Sequence, residues 1–176
     1  MTAQIGRRVV VTGLPGSGKS TFAAALHDRA GLPLIHLDLA FWQPGWTAPA
    51  PDEWRVIQRD LLAGDDWIAD GNYAETLDLR LALADTVVVM ATPWPTCLRR
   101  ALRRVVVPSR GEMPEGCEFS TWHRLRDEMG TARQVVRKRH REPSEERRLI
   151  EQHGAHTTVH VLSSPEQVAT LLDSLD

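Results

Sequence analysis

Short apolar runs alternate along the chain with longer stretches in which apolar positions recur every three or four residues. The run Arg7 to Thr12 is β-branched and ends at Gly13, whereas Ser20 to Ala30 is alanine-rich, helical in period and closed by Gly31. A strand therefore enters a glycine-rich turn that opens a helix. Leu34 to Leu37, Trp67 to Ala69, Thr86 to Ala91 and Thr157 to Leu162 predict four further strands, with helical periodicity between them. Each parallel connection needs a crossover of about a dozen residues or more, so strands alternating with helices predict a parallel sheet. The expected fold is α/β, a single domain over residues 1–176 with a five-stranded parallel sheet and helices on both faces.

Two stretches interrupt that scheme. The first, about 39–66, holds Trp42, Trp46, Pro44, Pro49 and Pro51 ahead of a helix expected near Asp52, and its Phe41 to Pro51 portion is too rich in proline for a regular element. The second follows a helix from about Pro95 to Val105: the Gly/Pro/Glu-containing loop Pro108 to Phe119, at the centre of a lid expected over about 105–121. Inserted loops on α/β sheets commonly carry function and motion, so we expect an acceptor-binding insertion and a lid.

Composition sharpens this outline. The chain has 176 residues, 42% of them hydrophobic, enough for one core and too few for two ordinary domains. No apolar stretch approaches the roughly 20 residues that cross a bilayer, and Met1 to Arg8 lacks the apolar centre of a signal peptide, so the expectation is a cytoplasmic protein. Cys97 and Cys117 stand apart without a Cys-x-x-Cys partner, which suggests neither a disulfide framework nor a zinc ribbon. The net charge of -2 hides an arginine-rich segment from Arg99 to Arg148. A planar guanidinium grips phosphate through two hydrogen bonds, so this segment points to an anionic ligand. The near-neutral total argues against a dedicated nucleic-acid partner.

The candidate chemistry begins at the first turn. Gly13-Leu14-Pro15-Gly16-Ser17-Gly18-Lys19-Ser20, followed by Thr21, fits G-x-x-x-x-G-K-[ST] where a strand passes into a helix. Glycines let backbone N–H groups turn around phosphates, and the helix N-terminus adds a partial positive charge. Lys19 is expected on the β- and γ-phosphates of ATP and the Ser20 hydroxyl on Mg²⁺. Asp70, after Trp67-Ile68-Ala69 and before Gly71, lies at the carboxyl edge of the sheet and is the candidate carboxylate for Mg²⁺ held through water. Its alternative is a turn former.

Asp38 ends the second predicted strand, where it could accept the proton of an acceptor hydroxyl or simply cap a turn. His36, on the same face of that strand, reads as a structural histidine. Trp42, Trp46 and Trp54 could wall a pocket for a ring or pack the insertion. Because no arginine stands in the insertion before Arg55, the acceptor site has little to neutralise a phosphate, which favours a hydroxyl acceptor. The arginines fall on helical faces: Arg99 with Arg103, Arg100 with Arg104, and Arg133, Arg137 and Arg141. At least two are expected to close on phosphates.

The P-loop, His36-Leu37-Asp38 with Phe41-Trp42 and Pro44-Gly45-Trp46, Trp67-Ile68-Ala69-Asp70-Gly71-Asn72-Tyr73, and Pro114-Glu115-Gly116-Cys117 together resemble the adenylate-kinase-related DNA topology modulation (FlaR-like) family over nearly the whole chain. The resemblance implies a P-loop kinase fold. By likeness to adenylate kinases, Arg100 falls at an adenine-stacking position and Arg104 at the first lid arginine. Those kinases follow Asp-Gly with Phe-Pro-Arg, which grips the acceptor's phosphate, whereas this chain has Asn72, Tyr73 and Ala74. Asn72 and Tyr73 therefore join Asp38, Trp42 and Trp46 as candidate acceptor residues, with Lys19, Asp38 and Arg104 as candidate catalytic residues. Asp38 also resembles the acceptor-hydroxyl carboxylate of shikimate-kinase-like and antibiotic phosphotransferases.

The expected activity is ATP- and Mg²⁺-dependent phosphoryl transfer to a small molecule by a monomer or homodimer. The alternatives are a nucleoside monophosphate kinase and a nucleotide-dependent regulator that binds DNA with weak ATPase activity. A GTPase is disfavoured because no Asn-Lys-x-Asp motif is present. A kinase should show a second pocket beside the γ-phosphate lined by Asp38 and Trp42, whereas a regulator should expose a continuous arginine surface away from the nucleotide.

Overall fold

The computed structural model describes residues 5–106 and 121–175, of which 121–128 and 141–142 are described as backbone only. Five parallel strands, β1 (Arg8–Thr12), β2 (Leu34–His36), β3 (Trp67–Asp70), β4 (Thr86–Met90) and β5 (Thr158–Leu162), form one sheet in the order β2-β3-β1-β4-β5. The helices are α1 (Lys19–Ala30), α2 (Leu37–Phe41), α3 (Pro51–Leu61), α4 (Leu77–Leu83), α5 (Trp94–Val106), α6 (Thr121–Lys138), α7 (Arg141–His153) and α8 (Pro165–Asp173). The expected lid centre, Pro108 to Phe119, and Cys117 lie outside the described residues. Among the described residues no helix is long and apolar enough to cross a membrane.

Side-chain alternation along the strands explains the two layers of helices. In β1, Val9 and Val11 face α1 and α8, packing with Phe22, Leu26, Leu171 and Leu172. Val10 faces the other way, toward Leu77 and Leu81 of α4 and the partly buried Leu149 and Ile150 of α7. All three valines are fully buried, as expected for a central parallel strand covered on both sides. The local signals act where they stand. Gly31 closes α1 in a left-handed conformation (φ 67°) and donates to the His27 carbonyl. Pro51 opens α3, and the Glu53 carboxylate reaches back to the Ala50 N–H at 3.3 Å.

One expectation fails at the second strand. Asp38 does not end β2: the strand stops at His36, and Asp38 sits in the first turn of α2. The reason is the ladder. Leu34, Ile35 and His36 pair with Ile68, Ala69 and Asp70, and β3 itself ends at Asp70. With no further partner the chain coils, and Leu37 is buried against Gly71, where a Cβ would come within 2.8 Å of the Leu37 Cβ. His36 and Asp38 therefore do not share a strand face. The Phe41 to Pro51 stretch, expected to lack regular structure, begins with the end of α2 and closes a small loop through a bridge between Gln43 and Thr47.

Candidate active site

The turn between β1 and α1 is shaped for an anion. Gly16 takes φ 81°, and a Cβ there would stand 2.6 Å from the Cys97 carbonyl oxygen, so only glycine passes. Helix α1 starts after Gly18 with no side chain bonded to its first N–H groups and no acid in its first turn. Its positive end is left for a ligand. A cavity of about 930 Å³ opens over it, bordered by Gly16, Ser17, Gly18, Lys19, Ser20 and Thr21. Helix α5 lines the opposite wall with Arg99, Arg100, Arg103 and Arg104. Arg100 donates to the carbonyls of Gly16 (3.2 Å) and Ser17 (3.0 Å), bracing the turn. Gly13 leads out of β1 behind this cavity and does not border it.

Asp70 ends β3 beside Val11 of β1, so the sheet register carries its carboxylate to the edge where the glycine turn departs. It is 5% exposed; Oδ2 lies 3.1 Å from His36 Nδ1, and Oδ1 is buried without a hydrogen-bond partner. His36 thus makes a contact with Asp70, each of them the last residue of its strand. A carboxylate oxygen buried without a donor is costly, and a hydrated cation is one way to satisfy it. Among the described residues no group of three or more His, Cys, Asp or Glu could hold a metal by itself. Mg²⁺ keeps several waters and takes one or two protein oxygen ligands beside substrate phosphates. The residues present, Asp70 and the exposed Ser20, fit that ion.

A second cavity, of about 610 Å³, meets the first: Gly16, Lys19, Ser20 and Arg104 border both. It also takes in Pro15, and its far wall is Asp38, Phe41, Trp42 and Trp46, with Asn72 and Tyr73 beside them. Phe41 is the hub of the wall, with ring centroids 5.0 Å from Trp42, 5.1 Å from Trp54 and 4.7 Å from Tyr73. Trp54 is buried behind the wall as packing and does not border the cavity. Trp46 adopts φ 60°, a left-handed conformation that costs a bulky residue roughly 1–3 kcal/mol. That conformation turns the chain back after Gly45 and sets Trp46 on Trp42, 5.8 Å between centroids.

The Tyr73 hydroxyl donates to Asp38 Oδ1 at 2.7 Å. Burial, then the Asp38 charge, push the Tyr73 phenol far above its ordinary range, so the proton stays on the phenol. Asp38 keeps its second oxygen for another donor.

The structure corrects the expectation that the acceptor side lacks cations. Arg55 is engaged elsewhere, in a two-pronged bond to Asp78 (2.7 and 3.1 Å). Instead α6 brings Thr131, Gln134 and Lys138 to the second cavity, and Lys19 and Arg104 border it too. Packing of α6 on α5 makes that approach possible, and no spacing in the sequence announces it. Arg133 and Arg137 are exposed and border neither cavity.

Two further residues were not anticipated. Arg80 is fully buried in α4 and donates to the carbonyls of Gly71 (2.8 Å) and Tyr73 (2.6 Å). Its pKa is lowered to about 10 by burial, with Glu146 foremost among the negative charges that oppose the shift, so it stays cationic near neutrality. Glu146 of α7 is buried and accepts a hydrogen bond from the Thr12 hydroxyl, which also lies 3.3 Å from Asn72 Oδ1. A cation inside the apolar run Leu77, Leu79, Leu81 was a readable sign for Arg80. Glu146 sits in the charged run from Arg141 to Arg148, where nothing marks it out.

No family model and no curated protein matches the chain. Solved structures do. Shikimate kinase from Acinetobacter baumannii, in complex with shikimate, superimposes with a TM-score of 0.56 at 16% identity, covering 96% of this chain and 90% of that one. Shikimate kinase from Bacteroides thetaiotaomicron gives a TM-score of 0.53 at 14% identity and 96% coverage of both chains. A protein provisionally assigned as a kinase from Chloroflexus aurantiacus gives 0.52 at 18% identity, covering 97% of this chain and 96% of that one. At such identities the likeness establishes the fold: the chain has the five-stranded parallel sheet of the shikimate-kinase-like P-loop fold.

Proposed function

We propose that the protein transfers the γ-phosphoryl group of ATP to a hydroxyl of a small, ring-bearing acceptor. The observation that carries this reading is the meeting of two cavities at Lys19, Ser20, Gly16 and Arg104, one over the phosphate turn and one against Asp38 and the aromatic wall. A nucleotide-binding regulator has no need of the second cavity.

In this reading the α1 N-terminus and Lys19 hold the β- and γ-phosphates, and Arg104 faces the group in flight from between the cavities. Asp70 and Ser20 would hold Mg²⁺, which supplies charge neutralisation on the phosphates. Asp38, fixed by the Tyr73 hydroxyl, takes the proton of the acceptor hydroxyl through its other oxygen. The acceptor oxygen bonds to the γ-phosphorus as the bond to the ADP oxygen breaks. Trp42 and Trp46 offer flat apolar faces for a ring. The Acinetobacter neighbour binds shikimate, a hydroxylated ring, which supports an acceptor of that class.

Lys138 in the acceptor cavity favours a second reading, a nucleoside monophosphate kinase, in which it would meet the acceptor's phosphate. A screen of ATP consumption against hydroxylated ring compounds including shikimate, nucleosides, nucleoside monophosphates, sugars and aminoglycosides separates the two. Turnover with a hydroxylated ring or sugar supports the first reading. Efficient turnover confined to AMP, CMP or UMP replaces it with the second.

A further inference from the structure

We propose that His36 is a positioning residue for the metal carboxylate: its ring N–H fixes Asp70 so that one oxygen, Oδ1, is kept for hydrated Mg²⁺ at the start of α1. This rests on Asp70 and Ser20 holding that ion in the proposed phosphoryl transfer. His36 and Asp70 end neighbouring strands and stand opposite each other in the ladder. In each strand the residue two places earlier, Leu34 in β2 and Ile68 in β3, belongs to the apolar cluster that α1 and α8 form over the sheet. Side chains alternate along a strand, so His36 and Asp70 project on that same face. Helix α1 packs across β1, β2 and β3 there, and it begins at their carboxyl edge with Lys19, Ser20 and Thr21. The sheet therefore delivers both side chains to the side on which the phosphate turn opens its helix.

The hydrogen between the two can be assigned. A carboxylate oxygen only accepts, so the 3.1 Å contact places the hydrogen on His36 Nδ1 and makes it the donor to Oδ2. Oδ1 is buried and has no hydrogen-bond partner, on a residue that is itself 5% exposed. A carboxylate turns about its Cβ–Cγ bond, and a donor fixed on one oxygen decides where the other points. Partners of this kind, one bond behind a metal ligand, set its orientation. His36 also stands directly before α2, which carries Asp38 in its first turn. A histidine with a merely structural role would disturb that helix and nucleotide binding alike, with or without the metal. A positioning histidine changes the metal's share alone.

Calorimetry of the full chain with a non-hydrolysable ATP analogue, in Mg²⁺ and in EDTA, gives for each variant the factor by which the metal tightens binding. His36→Leu removes the donor, and His36→Asn restores an N–H at the same number of bonds from Cβ as Nδ1. Asp70→Asn reports the loss of the carboxylate itself. The metal factor should fall by roughly tenfold or more in His36→Leu, the usual effect of removing a partner behind a metal ligand, while affinity in EDTA stays at the wild-type value. His36→Asn should keep most of the factor. A factor preserved in His36→Leu while Asp70→Asn loses it overturns the positioning role and leaves Asp70 on the metal. Equal weakening in Mg²⁺ and in EDTA also overturns it, as does His36→Asn failing as badly as His36→Leu. A wild type indifferent to Mg²⁺, or an Asp70→Asn variant that keeps the whole factor, removes the metal from Asp70 and the proposal with it.

Discussion

Tyr73 is the only tyrosine in the chain, so its ionisation can be followed by absorbance without interference from another phenol. The fold favours its protonated form, first through burial and then through the charge and hydrogen bond of Asp38. Its contribution to stability is therefore present at every pH below the unfolded value of about 10 and is lost as pH rises above it. In the wild type the tyrosinate band should appear only as the protein unfolds in alkali. Asp38→Asn should bring the titration to lower pH without restoring the ordinary value, since burial remains. The same variant should lower kcat by about 10²- to 10⁴-fold, the usual worth of a general base, with ATP affinity nearly unchanged. Steady-state kinetics with the acceptor from the screen reads this, and a fully active Asp38→Asn would remove Asp38 from the reaction.

At the scale of elements, α3 and α4 are clamped by the Arg55–Asp78 pair, which holds the 3-10 turn between Tyr73 and α4 through a further bond from Arg55 to the Glu75 carbonyl. Both side chains are about one-third exposed (32% and 34%), so the pair is screened and worth less than about 1 kcal/mol. The Arg55 guanidinium holds the Asp78 carboxyl below its usual value. That contribution is present above the unfolded aspartate pKa of about 4 and is lost as pH falls through the lower folded value. Asp78→Asn should therefore melt no more than roughly 4 °C below the wild type at pH 6, and the gap should close by about pH 2. A gap that stays constant with pH would mean that packing, not charge, sets the effect.

For the whole molecule, a ligand that binds the folded chain alone raises its stability by mass action. At a hundredfold excess over Kd the gain is about 2.7 kcal/mol. For a chain of 176 residues at about 2–4 °C per kcal/mol, Mg²⁺ with ATP should raise Tm by roughly 5–10 °C. Lys19 borders both cavities, so Lys19→Ala should lose most of that rise and all turnover while its ligand-free Tm stays near the wild type. Thermal scans of the two proteins with and without Mg²⁺ and ATP decide this, and an undiminished rise in Lys19→Ala would remove the lysine from the phosphate site.

Local chemistry made the first half of the site readable. The strand, the glycines and the lysine of the phosphate turn are consecutive, so their geometry follows from short-range rules, as do the five strands and the place of Asp70 at a strand end. Trp42, Trp46, Asn72 and Tyr73, named from the sequence and its resemblance as candidate acceptor residues, do border the second cavity, the first two on the chain after β2 and the last two on the chain after β3. The end of β2 was not legible, since whether Leu37 and Asp38 continue a strand depends on where the neighbouring strand stops. Lys138 at the second cavity and Glu146 beside Thr12 were equally hidden. Both stand on helices far along the chain, and only the packing of α6 on α5 and of α7 on α4 decides which charge of an exposed-looking run turns inward.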